Sequence, residues 1–339
     1  MSTQTQTQQP SPEHFFDTAN AYQRSAALKA AVELDIFTAV AEGNTDAASI
    51  AAARGASERG VRILCDYLVV VGLLTKEGGR YGLTEDTAAF LDRRSPAYMG
   101  AALDFLLSPM LMSGFDNLTS AVRNGGSQDA AGGTVSPENP VWVKFARAMA
   151  PMMMPAAQEI ARLVGGDGRK LKVLDIAAGH GVFGITIARQ NPSAEVVALD
   201  WPAVLEVARE NAEAAGVADR YSVIEGSAFE AEFGEGYDVI LLTNFLHHFD
   251  PPTCEALLRK VRAALADGGA AVTLEFVPED DRVTPPIPAA FSLVMLAGTP
   301  GGDAYTYAEL ERMFAAAGFS RSEPHPLAGA PQTIIVSHK

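Results

Sequence analysis

Residues 171–184 read LKVLDIAAGHGVFG, and this stretch decides the fold. A short apolar run that carries Asp175 comes first, and residues 179–184 then match the pattern G-x-G-x-x-G at the start of a helical stretch. Glycines in this pattern let the backbone approach a ligand closely and direct helix N–H groups towards it. The stretch therefore predicts a strand, a ligand-binding turn and a helix, although the motif alone is a weak signal.

Strand and helix patterns alternate along the rest of the C-terminal half. Near-continuous apolar runs between helical stretches are typical of a parallel sheet covered on both faces. We therefore predict an α/β fold, a Rossmann-like doubly wound sheet, over residues 161–339, with two more strands after residue 319. The apolar runs are LKVLDIA, AEVVALD, RYSVIEG, YDVILLTN and GGAAVTLEF.

The N-terminal third has a different plan. Residues 45–83 read as a helix that ends at Gly55, a second helix capped by Ser57, and a β-hairpin that turns at Gly78-Gly79. This order of helix, helix and hairpin is the winged-helix plan.

Residues 14–40 precede this winged-helix segment and read as helical. They carry more apolar residues than one buried stripe needs, which fits either their own core or a second subunit. We predict a disordered tail over residues 1–12, a winged-helix-like domain over 13–100 and a helical connector over 101–160.

Composition and charge exclude several classes of protein. The chain has 339 residues with 26 Lys and Arg against 41 Asp and Glu, a net charge of −15. Such a field repels phosphate backbones and anionic membranes, so nucleic acid is not an expected partner and the winged-helix segment reads as a dimerisation module. No apolar run approaches the ~20 residues that span a bilayer. With only Cys65 and Cys254, and a start that resembles no signal peptide, we predict a reduced, cytoplasmic chain.

Two acids define the expected ligand. Asp200 ends the second strand, 21 residues after Gly179, where a carboxylate can accept hydrogen bonds from a ribose diol. Asp175 lies four residues before Gly179, where it would repel the pyrophosphate of a dinucleotide. An adenosine ligand with a cationic group and no phosphate fits better, which favours S-adenosyl-L-methionine over NAD.

These segments together resemble the class I S-adenosylmethionine-dependent methyltransferases. More narrowly, the chain resembles the caffeic acid, acetylserotonin and bacterial polyketide or phenazine O-methyltransferases over roughly residues 13–339. The resemblance implies a homodimer formed through the N-terminal domain, with S-adenosyl-L-homocysteine as a product. The segments that carry it are IAAARGASERGVRILCDYLVVVGLLTKEGGRYGLT, VLDIAAGHGVFGITIARQNPSAEVVALDWP, IEGSAFE, NFLHHFDPPTCEALLRKVRAALADGGAAVTLEF and LAGTPGGDAYTYAELERMFAAAGF.

The resemblance also implies a set of cofactor-binding residues. Ser227 stands where the family usually has an Asp near the adenine amine, and Thr243 stands where many members have a lysine. The full set is Asp175, Gly179, Gly181, Asp200, Trp201, Ser227, Phe229 and Thr243.

His247 matches the family's catalytic base, and Glu275 matches an acid that orients the imidazole. Methyl transfer from a sulfonium releases a neutral sulfide, so only the acceptor must lose a proton. A phenol (pKa about 10) can give its proton to an imidazole (about 6.5) far more easily than an aliphatic alcohol can. The family's second acid should stand at Ala304, and its neighbour Asp303 is a candidate to replace it. His248 is expected to point elsewhere.

The acceptor itself is not named by the sequence. Apolar side chains in the connector and later segments imply a flat, largely hydrophobic aromatic substrate. No compact cluster of oxygen ligands argues for a metal. The predicted acceptor-lining residues are Trp142, Phe145, Met149, Met153, Asn244, Phe291 and Met295.

Three other functions stay open at this point. Ala304 at the second-acid position keeps open C- or N-methylation, or a cofactor-assisted decarboxylation, on the same fold. GHGVFG alone also fits an NAD-dependent oxidoreductase, and the helix–helix–hairpin plan also fits a DNA-binding regulator.

Overall fold

The computed structural model describes residues 10–129, 132–165 and 168–339. Most of the predicted tail, residues 1–9, therefore lies outside the described part of the chain. Contacts divide the chain into two compact units, Met1–Leu103 and Asp104–Lys339. The domain boundaries proposed from the sequence stay predictions.

The first unit has the predicted order of helix, helix and hairpin. The side chain of Ser57 accepts a hydrogen bond from the Gly60 N–H and begins the second of these helices, and Gly55 ends the first at φ 62°. Both glycines of the hairpin turn, Gly78 and Gly79, also have positive φ. The elements are α1 (Glu13–Ala19), α2 (Tyr22–Glu33), α3 (Ile36–Ala41), α4 (Ala47–Arg54), α5 (Glu58–Val70), β1 (Leu74–Glu77), β2 (Arg80–Leu83) and α6 (Glu85–Phe90).

The predicted helical region over residues 14–40 is three helices rather than one. Asp35 separates α2 from α3 with a left-handed φ of 53°, which no helix interior accommodates. Helix α1 buries none of its residues within this chain, and Phe15, Phe16 and Tyr22 are 68%, 57% and 67% exposed. The excess of apolar residues thus lies on the surface of the first unit and not in its core.

The second unit surrounds one seven-stranded sheet. Its helices are α7 (Leu103–Leu106), α8 (Pro109–Asp116), α9 (Leu118–Asn124), α10 (Val141–Ala148), α11 (Ala150–Val164), α12 (Val182–Gln190), α13 (Pro202–Ala214), α14 (Pro251–Ala264), α15 (Pro286–Gly298) and α16 (Tyr307–Ala316). Its strands are β3 (Leu171–Ile176), β4 (Ala194–Asp200), β5 (Tyr221–Glu225), β6 (Tyr237–Thr243), β7 (Leu265–Glu275), β8 (Arg321–Pro326) and β9 (Thr333–His338). Short 3₁₀ turns are Gly100–Ala102, Gly133–Val135, Ala218–Arg220 and Leu246–His248.

The sheet order is β5-β4-β3-β6-β7-β9-β8, and the first five strands are parallel. Strand β9 runs antiparallel to both β7 and β8, so the sheet is mixed rather than purely parallel. The order reverses between β3 and β6, where open α/β sheets bind ligands outside the carboxyl ends of their strands. The predicted fold class is confirmed, and β3, β4, β6 and β7 all end at this one edge.

Prolines shape the helices that precede the sheet. Met149 separates α10 from α11, Pro151 lies in the first turn of α11, and Pro155 lies inside that helix. A proline in the first turn costs no hydrogen bond because its N–H would have no partner there. The break between the two helices falls at Met149, which is itself buried.

Candidate active site

The turn after β3 brings the backbone close to its neighbours. Gly179 and Gly181 have φ values of 58° and 73°, and a Cβ on Gly181 would lie 2.5 Å from the hydroxyl of Tyr221. Only glycine fits such a position without a shift. Ala177, just before them, also has a positive φ of 54°. The predicted glycine turn after β3 thus exists and requires glycine at Gly181, while its role in ligand binding stays a prediction.

Asp200 closes this turn from the next strand. Its Oδ2 accepts a hydrogen bond of 2.8 Å from the Gly179 N–H, and its Oδ1 accepts one of 2.7 Å from the Trp201 N–H. Burial raises the pKa of the Asp200 carboxyl to about 6, against the opposing effect of these two hydrogen bonds. Each carboxylate oxygen can accept a further bond, so Asp200 remains able to receive a diol.

Asp175 is fully buried beneath the turn. Its Oδ2 accepts a hydrogen bond of 3.1 Å from the Gly184 N–H, whereas its Oδ1 has no partner. Burial, with the nearby Asp200 adding to it, raises the pKa of the Asp175 carboxyl to about 8. The hydroxyl of Tyr221 is likewise buried without a partner. Two carboxylates thus lie close together with no cation of the described residues paired to either, an arrangement that fits a cationic ligand.

This placement changes how Asp175 can act. In the structure the side chain has no exposed surface, so it affects a ligand through its charge and through the Gly184 backbone rather than by open contact. Its role at the cofactor stays a prediction with that restriction.

The other predicted cofactor residues surround the same strand ends. The Ser227 hydroxyl accepts a hydrogen bond of 3.2 Å from the Phe229 N–H, and Phe229 is 40% exposed with its ring edge-to-face on Phe249. Thr243 is buried at the end of β6. Trp201 and Trp142 pack against the same small apolar cluster of Ala146, Val204 and Val207.

The predicted contact between His247 and Glu275 forms at the ends of β6 and β7. Nδ1 of His247 bonds to Oε2 of Glu275, while Oε1 accepts from the N–H groups of Phe245 and Leu246 at 3.1 and 2.9 Å. His247 and Glu275 are 4% and 2% exposed. Glu275 therefore holds both the imidazole and the turn that carries it, and no described residue bonds to Nε2 of His247.

His248 lies against the base and not in solvent. Its ring centroid is 4.3 Å from that of His247 and 5.2 Å from that of Trp142, and its Nδ1 has no partner. Burial, with the neighbouring His247 adding to it, lowers the pKa of His248 well below its usual value. His248 is thus a neutral side chain at neutral pH, and its ring packs on that of Trp142.

Asp303 does not join this pair. Its Oδ2 accepts a hydrogen bond of 3.1 Å from the guanidinium of Arg282, which also bonds to Glu309, and its side chain is 37% exposed. Ala304, at the second-acid position, is fully buried. The Asp303 side chain leaves its loop on the Arg282 side and therefore forms a partly exposed ion pair. Glu275 is thus the one acid that contacts His247 among the described residues.

A glycine holds the neighbouring loop against the base. A Cβ on Gly302 would lie 2.2 Å from the carbonyl oxygen of His247, and its N–H donates to the Thr299 hydroxyl at 2.8 Å. The loop that includes Asp303 and Ala304 thus touches the backbone of the base through Gly302.

Aromatic rings form a wall beside the base and the cofactor turn. The rings of Phe105, Trp142 and Phe145 contact one another at centroid distances of 5.1 to 6.2 Å. Phe291 stands edge-to-face on His247 at 4.9 Å and stacks on Phe276 at 4.1 Å. Met149, Met153 and Met295 are buried. The predicted acceptor residues Trp142, Phe145 and Phe291 are therefore found near the base or the turn.

Sequence reasoning missed two buried polar residues. His180, inside the glycine motif, stacks on Phe145 at 5.7 Å, and burial lowers its pKa to about 4. Gln332, which precedes β9, donates to the side chain of Asn244. The motif position could have pointed to His180, whereas no local pattern marks Gln332.

Across residues 10–129, 132–165 and 168–339, no group of three or more His, Cys, Asp and Glu side chains could hold a metal ion. Within those same ranges no helix has the length and apolar character needed to cross a membrane.

Two family models match the chain. A model described as the O-methyltransferase domain matches residues 115–320, and one described as the O-methyltransferase dimerisation domain matches residues 16–93. The two matches follow the two compact units in order.

Individual proteins give the same result. Acetylserotonin O-methyltransferase of Mus musculus is 31% identical over 323 residues, which cover 90% of this chain and 83% of that protein. A crystal structure from Nostoc punctiforme, whose own assignment as an O-methyltransferase is provisional, is 57% identical with a TM-score of 0.94 and covers 98% of this chain and 100% of that one. The structure of PigF with SAH, a protein known from a Serratia strain, is 26% identical with a TM-score of 0.85 and covers 97% and 100%.

Proposed function

The chain belongs to the O-methyltransferase family, and we propose on this premise that it transfers a methyl group from S-adenosyl-L-methionine to a hydroxyl of a small aromatic metabolite, with His247 as the general base. The observation that carries the proposal is the buried pair of His247 and Glu275, with Nε2 of His247 left without a partner among the described residues.

The cofactor follows from the family and from the chemistry of the turn. S-adenosyl-L-methionine supplies a methyl group on a sulfonium and leaves as a neutral sulfide. Gly179 and Gly181 provide a turn that a ligand can approach closely, and Asp200 can receive a ribose diol. Asp175 lies beneath the turn with its pKa raised to about 8, and a cationic ligand would favour its ionised form. Two carboxylates without a partner cation favour a cationic ligand over a phosphate. PigF, a relative of this chain, has been solved with SAH bound.

The base site performs one task, the removal of a proton from the acceptor. Glu275 fixes Nδ1 of His247, so the lone pair that takes the proton belongs to Nε2, and the carboxylate stabilises the imidazolium that forms. The two backbone bonds from Phe245 and Leu246 to Glu275 keep the imidazole in place during this transfer. Burial of the pair excludes water and strengthens its electrostatic effect.

The aromatic wall supports the choice of acceptor. Phe291 on one side of His247 and Trp142 beside His248 offer flat apolar faces. Flat rings pack favourably on such faces, whereas an aliphatic alcohol would gain little there and would give up its proton less readily.

The N-terminal unit supports a homodimer. The dimerisation-domain model covers residues 16–93, and α1 leaves Phe15 and Phe16 largely exposed. Burial of these rings against a second copy would remove apolar surface from water, so we assign the excess apolar residues of this region to a subunit interface. A cytoplasmic location stays a prediction.

The decisive test compares His247→Ala with the control His14→Ala at an exposed position. Labelled S-adenosylmethionine and a panel of phenols report turnover, while calorimetric titration reports cofactor binding. We expect His247→Ala to bind the cofactor normally and to lose ~10²–10⁴-fold in kcat, the usual contribution of a general base. Full turnover in His247→Ala would remove this residue from the mechanism.

A second candidate function rests on Ala304. Because that buried residue leaves His247 with a single acid, C- or N-methylation or a cofactor-assisted decarboxylation on the same fold remains a candidate. Mass spectrometry of the product separates methylation, which adds one methylene unit, from decarboxylation, which does not. The chemical shift of the labelled methyl carbon then separates O-methylation from C- or N-methylation.

A further inference from the structure

The residue before the last strand of the described chain reaches the end of β6. Thr333 pairs with Glu275 in the register of β9 against β7, so Gln332 lies just beyond the carboxyl end of β7. Gln332 is only 6% exposed. A buried amide requires hydrogen-bond partners, and Nε2 of Gln332 donates to Oδ1 of Asn244.

Asn244 is held in an unusual conformation at the start of the base turn. Its φ of 54° is left-handed, and its N–H donates to the carbonyl of Leu274 at 2.8 Å. Asn tolerates this region better than most residues, but the conformation still needs support from its surroundings. Gln332 supplies that support through its hydrogen bond to the Asn244 side chain.

The bond from Gln332 determines which end of the Asn244 amide faces the acceptor side. Because Oδ1 receives the Gln332 donor, Nδ2 is directed at Sδ of Met153, 3.6 Å away. A thioether sulfur is a weak acceptor, so the Nδ2 group retains most of its capacity to donate. Met153 and Asn244 both belong to the predicted acceptor-lining set.

We propose that Gln332 is a positioning residue that directs the Asn244 amide as a donor into the acceptor site, which thereby selects aromatic acceptors that carry a carbonyl oxygen beside the hydroxyl to be methylated. This inference rests on the proposed function, because it concerns the acceptor of that same site. The carbonyl replaces Met153 as the partner of Nδ2 and makes a stronger hydrogen bond.

The test compares 2-hydroxyacetophenone, a phenol with a neighbouring carbonyl, with 2-ethylphenol, its closest alkyl counterpart. Titration calorimetry in the presence of S-adenosylhomocysteine measures the binding of both, and methyl transfer gives KM and kcat separately. We expect the wild-type chain to favour the carbonyl compound about tenfold, the value of one hydrogen bond. The preference should appear in binding and KM, with kcat nearly unchanged.

Three variants test the role of Gln332. Gln332→Met removes the donor and should reduce the preference to less than about twofold. Gln332→Glu presents a carboxylate that accepts, so Asn244 must turn its Nδ2 towards it, and the preference should be lost. Gln190→Glu, the same charge change at an exposed position, should keep the full preference. Thermal unfolding verifies that each variant is folded.

Each outcome decides the proposal. A wild-type chain that binds both phenols equally, or a folded Gln332→Met that keeps the tenfold preference, overturns it. A wild-type chain that transfers methyl to no member of the phenol panel overturns the proposed function instead, while the binding measurements still decide the role of Gln332.

Discussion

Two buried carboxylates at the same edge of the sheet have opposite surroundings. Glu275 ends β7 with both oxygens occupied by the His247 imidazole and the N–H groups of Phe245 and Leu246. Asp175, near the end of β3, accepts one bond from Gly184 and has an oxygen with no partner. Glu275 is complete within the chain, whereas Asp175 is not.

The difference indicates that the Glu275 carboxylate fixes the position of its neighbours, whereas the Asp175 carboxyl is arranged to interact with a ligand. A fully bonded carboxylate fixes the parts that it contacts and gains nothing from an outside molecule. A buried carboxyl without partners for its charge keeps its proton to a higher pH and ionises more readily when a positive charge arrives. We therefore expect changes at Glu275 to affect turnover and changes at Asp175 to affect cofactor affinity.

The largest effect is expected from Glu275→Gln. An amide can keep its oxygen on the two backbone N–H groups, but its NH2 group then faces Nδ1 of His247 as a donor and places the ring proton on Nε2. We expect kcat to fall ~10²–10⁴-fold, similar to the loss of the base, because Nε2 then carries the ring proton and cannot accept one from the acceptor. Labelled methyl transfer measures kcat, and exposed Glu213→Gln is the control. A loss of less than about tenfold would show that Glu275 does not orient the base.

A smaller effect, dependent on pH, is expected from Asp175. Its folded-state pKa of about 8 lies above the usual pKa of 3.8 for an aspartate, so its favourable contribution to folding is present below about pH 4 and is lost as the pH rises towards 8. The free protein should thus become less stable between pH 5 and about 8.5, and S-adenosylhomocysteine, which carries an ammonium, should offset that loss.

Thermal unfolding with and without S-adenosylhomocysteine measures this, and Asp175→Asn should flatten the pH dependence and weaken binding about tenfold at high pH. Asp219→Asn, at an exposed position, is the control. A pH dependence that Asp175→Asn leaves intact would assign it to other groups.

The smallest effect is expected from Asp303→Asn. The ion pair with Arg282 is partly exposed, and such pairs contribute about 0–1 kcal/mol. We expect kcat to change less than about twofold and the free energy of unfolding to fall by less than about 1 kcal/mol. Urea unfolding and steady-state kinetics measure both. A tenfold loss of kcat would return Asp303 to the catalytic group and reduce the contrast with Glu275.

The fold followed from local patterns. Apolar runs between helical stretches predicted β3 to β7, and the capping residue Ser57 marked the start of α5. The antiparallel position of β9 was not predicted, because the pairing partner of a strand depends on contacts far away in the chain. The break at Asp35 was missed for a similar reason, since no glycine marks it.

The candidate site was predicted less completely than the fold. His247 and Glu275 meet because the carboxyl ends of neighbouring parallel strands meet at one edge. Asp303 was predicted as a candidate second acid, but its side chain faces Arg282. The residues next to a loop position do not determine the direction of its side chain. Gln332 was missed because it reaches the site from a strand that the motifs do not include.

Ala177 and Asn244 follow the adjacent strands β3 and β6, and both have left-handed φ values of 54°. A non-glycine residue in this conformation costs roughly 1–2 kcal/mol, so the protein gives up stability on both sides of its ligand edge. Thermostable versions of this enzyme are therefore better sought in the outer helices than at this edge. Substitutions that relieve the strain at Ala177 or Asn244 would raise thermal stability, but they would disturb the geometry that the reaction requires.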